Sequence, residues 1–354
     1  MANDWNRYGP TAARPQGRPG REVRPQSITI DIHSHVAVPR AMELARPHLD
    51  WSTIPLAHFS TPETKALNQK QDAARTAQMT GVTERLADLD AMGLDRQVIM
   101  CPPPQCYYTV PLDIAVPASR MVNEGLSEYA AKNPDHYLVF GTVPLANGEE
   151  AAKELEHCMG RLGHKGVQIL TNVAGKELSD PAFAPFWRKA EELGAVVLLH
   201  PNGFTEGDRL TRFYFNNVIG NPLETTMALH YLIFDGVLER HPNLKIVAVH
   251  GGGYLAAYSG RIDHAWGARA DTHGTLPNPP TSYLKKIYVD SVVFTPHQLR
   301  ALVEVFGPDH VILGTDYPYD MAEYEPIEHV VSAGLDDTTV AKICGGTAKR
   351  LLGI

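Results

Sequence analysis

Ser27-Ile-Thr-Ile-Asp-Ile-His-Ser-His-Val36 is the stretch whose reading decides the fold. It is a β-branched, apolar run that ends in two histidines, two positions apart. Side chains alternate across a strand, so His33 and His35 point to the same side. A strand that runs out in a metal-capable residue recurs three times: Ala195-Val-Val-Leu-Leu-His200, Lys245-Ile-Val-Ala-Val-His250 and Val311-Ile-Leu-Gly-Thr-Asp316. A parallel barrel gathers the C-terminal ends of its strands on one face, where these five side chains would converge.

Working outward, short apolar runs alternate with helix-period segments, the pattern of βα repeats on a parallel sheet. Eight strands are predicted, over 27–35, 96–102, 137–144, 166–171, 195–200, 245–250, 286–293 and 310–315. Helices are predicted over 82–92, 117–132, 149–162, 182–193, 223–240, 254–266, 296–306 and 337–352. Some have clear starts: Asp180-Pro181 and Thr295-Pro296 place a proline in the first turn. An open doubly wound sheet would not bring strands one, five, six and eight to one centre, whereas a closed ring does. The expected fold is α/β, a (β/α)8 TIM-type barrel over 27–354, preceded by an extended arm over 1–26. Two connections, 36–80 after strand one and 202–222 after strand five, are long enough to form walls or a lid on the face that carries the histidines.

The composition narrows the partners. A formal charge of -8 and a pI near 6.0 argue against a nucleic-acid backbone or a membrane surface as the main partner. No stretch approaches the roughly 18 apolar residues of a membrane span. The arm is rich in Pro, Gly and Arg, lacks a signal-peptide core, and is expected to lie loosely, packing on a neighbouring subunit. Four scattered cysteines (Cys101, Cys106, Cys158, Cys344) make no disulfide framework and are read as reduced, with Cys101 at a strand end nearest the pocket. The expected location is cytoplasmic.

For any one histidine, a satisfied structural role is the commoner case. Three strands that end in histidine and one in aspartate, on a barrel pattern, weigh against that here. Imidazoles with a carboxylate suit Zn²⁺ or another borderline divalent ion, with water in the open position. Spacing alone leaves open whether His250 is a ligand. Gly251-Gly-Gly253 lacks the Lys-Ser/Thr of a phosphate loop and reads as a tight turn beside the pocket. His48, His58, His230, His264, His273 and His297 lack a strand-end context. His58 and Trp51, on the long first loop, stand near enough to line a pocket.

His33-Ser-His35, Leu199-His-Pro201, Val249-His-Gly-Gly-Gly253 and Gly314-Thr-Asp-Tyr-Pro318, together with Gly260-Arg-Ile-Asp-His-Ala-Trp266 and Tyr288-Val-Asp-Ser-Val-Val-Phe294, occur in this order. From about Ile28 to the C-terminus the chain resembles the amidohydrolase superfamily, in its branch of α-amino-β-carboxymuconate-ε-semialdehyde decarboxylase and related metal-dependent decarboxylases. The resemblance implies that His33, His35, His200 and Asp316 hold one divalent metal, with zinc the expected ion, and that His250, with Asp316, handles protons. Binuclear relatives use a lysine on strand four; here Lys165 precedes Gly166-Val-Gln-Ile-Leu170, which favours one metal. Arg261 matches an arginine that crosses a dimer interface to hold a substrate carboxylate, and Tyr319 matches an aromatic residue against the substrate. The second family arginine, on the loop after strand one, has no clear match, although Arg75 and Lys70 are near. The resemblance implies a homodimer or higher homo-oligomer that decarboxylates an aromatic or muconate-type carboxylic acid without oxidation. The alternatives are hydrolysis of a C–C, lactone or amide bond at the same metal, and a barrel that keeps zinc structurally, which closed cysteine-rich sites do more commonly.

Overall fold

The structure, a computed structural model, describes residues 18–354. Eight strands form one sheet: β1 (Ile30–His35), β2 (Arg96–Met100), β3 (Tyr137–Thr142), β4 (Gly166–Leu170), β5 (Val196–His200), β6 (Lys245–Ala248), β7 (Ile287–Asp290) and β8 (Val311–Ile312). Each pairs in parallel with the next in sequence order. The ring closes between its last and first strands. Ile32 N donates to Leu313 O at 2.9 Å, Asp316 N to His33 O at 2.9 Å, and His35 N to Tyr317 O at 2.8 Å. This is the TIM-type barrel expected from the strand count.

Two apolar layers hold it. Ile99, Val139, Ile169, Leu199, Ile246 and Val289 face helix residues such as Leu89, Val122, Leu155 and Leu229 in the larger cluster. The smaller cluster contains Ile30, Ile32, Val98, Met100, Phe140, Leu198, Val247 and Ile312. It fills the barrel, because Val196, Leu198 and His200 occupy one face of β5 and His200 points into the mouth. Strict alternation would then put His33 and His35 on the outside, opposite Ile30 and Ile32. A register shift between Asp31 and Ser34 in the β1–β2 pairing resolves the conflict. The extra residue turns the row inward, so the isoleucines fill the barrel and the histidines above them still face its centre.

Where helix boundaries differ from expectation, backbone chemistry explains it. The helix expected over 117–132 begins at Leu112 and runs to Ala130, with Pro117 inside it. The segment over 223–240 divides into Asn221–Phe234 and Val237–Arg240 because Gly236 adopts φ 71°. The C-terminal helix carries a π-turn over Lys342–Gly346, where a Cβ on Gly345 would lie 2.0 Å from Ile28 O. The long first connection is mostly helical, with Pro39–Ala45, Pro55–His58, Pro62–Ala74 and Thr76–Thr80.

Of the expected arm, residues 1–17 lie outside the described residues. The remainder packs on its own barrel. A short helix, Gly20–Val23, sits so close to the helix Thr83–Met92 that a Cβ on Gly20 would lie 2.0 Å from Met92 O, and Arg18 pairs with Glu328 at 2.6 Å.

Candidate metal centre

The mouth of the barrel brings four imidazoles and a carboxylate together. His33 Nε2 lies 3.2 Å from His35 Nε2. Asp316 Oδ1 is 3.3 Å from His33 Nε2, 3.2 Å from His35 Nε2 and 3.9 Å from His200 Nε2. His250 Nε2 is 3.5 Å from Asp316 Oδ2. One donor atom each from His33, His200, His250 and Asp316 falls within a 4.8 Å span. Direct distances add His35, which is closer to Asp316 than His250 is.

Three of the rings have their outer nitrogen tied off. His33 Nδ1 donates to Asp290 Oδ2 at 2.8 Å, His35 Nδ1 to Cys101 O at 3.0 Å, and His200 Nδ1 to Pro201 O at 2.6 Å. Each donation assigns the proton to Nδ1 and leaves a lone pair on Nε2. These three lone pairs converge on Asp316, and the buried Nε2 of His200 meets no hydrogen-bond donor among the described residues. Facing lone pairs at 3.2 Å repel unless a cation lies between them. His250 differs: neither nitrogen is fixed by a carbonyl, and its buried Nδ1 makes no hydrogen bond among the described residues.

The electrostatics agree. Burial alone would depress His33, but Asp316 and Asp290 outweigh it and hold its pKa up at about 10. Those two carboxylates call for a positive charge at this ring, a proton or a metal ion. Burial, with the neighbouring imidazoles, lowers His200 to about 3, which keeps it neutral. Burial would raise Asp316, yet the surrounding histidines hold it well below the usual carboxylate range. A buried carboxylate with neutral imidazoles is a donor set for a divalent ion.

Two side chains reach the centre through left-handed backbone. His250 has φ 54° and Asp316 φ 59°, conformations that cost non-glycine residues on the order of 1–3 kcal/mol each. Val249 belongs to the barrel interior, so an extended continuation would aim His250 outward; the left-handed turn aims it into the mouth. The next amide, Gly251 N, donates to Asp290 Oδ1 at 2.9 Å.

A cavity of about 710 Å³ opens over this centre, with Trp51, His58, Arg75, His200, Asp316 and Tyr319 among its walls. Arg75 is 3% exposed and sits at the break between the helices Pro62–Ala74 and Thr76–Thr80. Its guanidinium carbon lies 5.0 Å from the centroid of the Tyr319 ring, and the same ring meets that of His35 edge-on at 5.1 Å. Lys70 does not line the cavity. Arg261 is exposed on the helix Leu255–Ala268 and does not reach the cavity within one chain. At the start of the same helix, Tyr254 and Tyr258 are 40% and 72% exposed.

Sequence reasoning missed Asp290, although its signal was present: a carboxylate at the end of β7, inside a quoted motif. Asp31 acts on the backbone, its Oδ1 accepting from His33 N at 2.9 Å and its Oδ2 from Thr315 Oγ1 at 2.6 Å. All four cysteines are buried and free.

Comparison with known proteins gives a consistent answer. A family model described as Amidohydrolase matches residues 30–354. A 2-amino-3-carboxymuconate-6-semialdehyde decarboxylase of Dictyostelium discoideum is 31% identical over 332 residues, covering 93% of this chain and 92% of that protein. A gamma-resorcylate decarboxylase of Rhizobium radiobacter is 28% identical over 298 residues, covering 75% and 85%. Among solved structures, 5-carboxyvanillate decarboxylase from Sphingomonas paucimobilis superposes with a TM-score of 0.81 at 25% identity, over 93% of this chain and all of the other (100%).

Proposed function

We propose that this chain, which belongs to the amidohydrolase family, is a metal-dependent decarboxylase of an aromatic or muconate-type carboxylic acid. The observation that carries the reading is the convergence of three Nδ1-anchored imidazoles on Asp316, joined to the similarity with decarboxylases over nearly the whole chain. Metal-binding histidines characteristically donate their second nitrogen to a carboxylate or carbonyl. That supports His33, His35, His200 and Asp316 as ligands of one divalent ion and leaves His250 to move protons. We take zinc as the ion, since an imidazole-rich set with one carboxylate suits it.

When bound, the ion supplies positive charge that orients a substrate oxygen and stabilises the electron pair left as CO₂ departs. Arg75 is placed to hold a carboxylate with its planar fork, and the Tyr319 ring gives a flat surface for the substrate's π system. His250, beside Asp316 Oδ2, delivers the proton that takes the place of the lost carboxylate, so substrate carboxylate and proton become CO₂ and the arene or enamine with a new C–H bond. The cavity walls from 36–80 keep bulk water from that carbon.

The exposed Tyr254 and Tyr258 at the start of the helix that carries Arg261 support a homodimer in which Arg261 enters the partner's pocket. No helix among the described residues is long and apolar enough to cross a membrane. The four free, buried cysteines suit a reducing, cytoplasmic location.

The test is to load the protein with zinc or manganese, incubate it with aromatic and muconate-type carboxylic acids, and measure CO₂. Release that disappears in His250→Ala while the metal stays bound is the expected result. Metal-dependent cleavage of a lactone or amide with no CO₂ would replace this reading with hydrolysis.

A further inference from the structure

A second cavity, of about 810 Å³, lies beside the first. Ile54, His58, Pro103, Pro104 and Asn202 line both, so the two share a wall. Their charged residues differ. The metal pocket carries Lys65 and Arg75 with Asp72, Asp316 and Asp320, whereas no lysine or arginine among the described residues lines the second cavity.

The one carboxylate among the described residues of its wall is Glu224, which is 2% exposed. Its Oε2 accepts from Thr205 N at 2.9 Å and from Thr205 Oγ1 at 3.3 Å. Burial pushes its pKa up to about 7; the Thr205 amide opposes the shift, and Glu177 and Glu206 add to it. The rest of the wall mixes neutral polar residues, Asn172 and Asn202 among them, with aromatic and apolar ones, including Phe59, Tyr107 and Tyr108. Two further buried wall groups, Tyr107 Oη and Thr171 Oγ1, make no hydrogen bond among the described residues.

An anion would meet repulsion here. A neutral apolar ligand would leave the carboxyl group desolvated and without a new partner. A bare divalent ion would find a single carboxylate among the described wall residues to balance its charge. A buried acid among aromatic faces suits a soft cation, which ring quadrupoles attract and whose charge favours ionised Glu224.

We propose that the second cavity binds an organic monocation, a primary or quaternary ammonium on an apolar body, with its charge at Glu224 and its body against Phe59, Tyr107 and Tyr108. This site is separate from the decarboxylase reading and does not depend on it.

Calorimetric titration of the metal-loaded full chain with choline and with its uncharged carbon isostere, 3,3-dimethylbutan-1-ol, tests the assignment. Choline is expected to bind at least about tenfold more tightly, the equivalent of one charge-dependent contact. Glu224→Gln keeps an oxygen for the Thr205 amide and is expected to erase the preference. Phe59→Leu, which leaves Glu224 untouched, is expected to weaken choline severalfold and the alcohol less, since only the cation loses the attraction of the ring face. Equal affinities for the two probes, no choline binding, or a preference that survives Glu224→Gln would overturn the proposal. If Glu224→Gln does not fold, an unaltered choline affinity in Phe59→Leu overturns it.

Discussion

Replacing Asp290 by asparagine changes one oxygen to an amino group in a fully buried pair. Asp290 serves three donors: Oδ2 accepts from His33 Nδ1 at 2.8 Å, and Oδ1 from Gly251 N at 2.9 Å and Val292 N at 3.2 Å. An amide has only one accepting oxygen. Turning it toward the two backbone amides keeps two bonds and presents the NH₂ to His33 Nδ1. His33 must then accept at Nδ1, and its proton moves to Nε2, the atom that faces Asp316 at 3.3 Å. A protonated Nε2 has no lone pair to give a metal. Losing an outer partner of this kind weakens metal binding about 10–100-fold, or about 1.4–2.7 kcal/mol. The upper end is expected here, because both side chains are fully buried. Dissociation constants for Zn²⁺ and Mn²⁺, measured by competition with a chromophoric chelator, give the answer, with circular dichroism as a check on the fold. A folded Asp290→Asn protein that binds both ions within twofold of the parent would refute the tautomer argument.

Two other perturbations separate the substrate site from the scaffold. Arg75→Lys keeps the charge but loses the fork and the stacking over Tyr319, so KM for the carboxylic acid should rise roughly tenfold or more with a smaller change in kcat; an unchanged KM across the acid panel would remove Arg75 from the substrate site. His164, 3% exposed, has its pKa lowered from 6.5 to about 4 by burial, with help from His157. The unfolded chain therefore takes up this proton first. Stability holds above pH 6.5, falls as the pH drops toward 4, and levels off below that, a loss of roughly 3 kcal/mol from this group. Urea unfolding at pH 7 and pH 5 should show a smaller acid loss in His164→Gln than in the parent, and parallel losses would contradict the assignment.

The barrel was legible because its strands are short β-branched runs whose ends carry the informative residues. Strand-end position alone named all five residues of the centre. Three features were hidden. The bulge between Asp31 and Ser34 exists because Ile30 and Ile32 must fill the barrel while His33 and His35 face its mouth; a period-two reading satisfies only one demand at a time. The left-handed turn at His250 compensates for the interior position of Val249, which no local propensity announces. Arg75 stands at a helix break in a long connection, and its approach to Tyr319 depends on tertiary packing. Spacing therefore could not choose between Arg75 and Lys70. The exposed setting of Arg261 follows from a single chain: if it serves a pocket, a second subunit must carry it there.

The closure of β8 onto β1 has a bearing on how the protein is made. His35 and Asp316 stand 281 positions apart, and the backbone hydrogen bonds that join the two ends, Asp316 N to His33 O and His35 N to Tyr317 O, involve residues of the centre itself. A nascent chain emerging from the ribosome carries its histidines long before the aspartate that gathers them. Three imidazoles alone can hold a divalent ion, but the negative charge of Asp316, which would strengthen the set, comes only with the final strand. Pairing the first strand with the last is the most non-local step the topology contains and is expected to be slow. An ion that arrives at that moment fastens both ends of the barrel at once, and binding it draws the completed fold away from the opened one by mass action. Metal supply during synthesis would thus govern the yield of native protein as well as its activity.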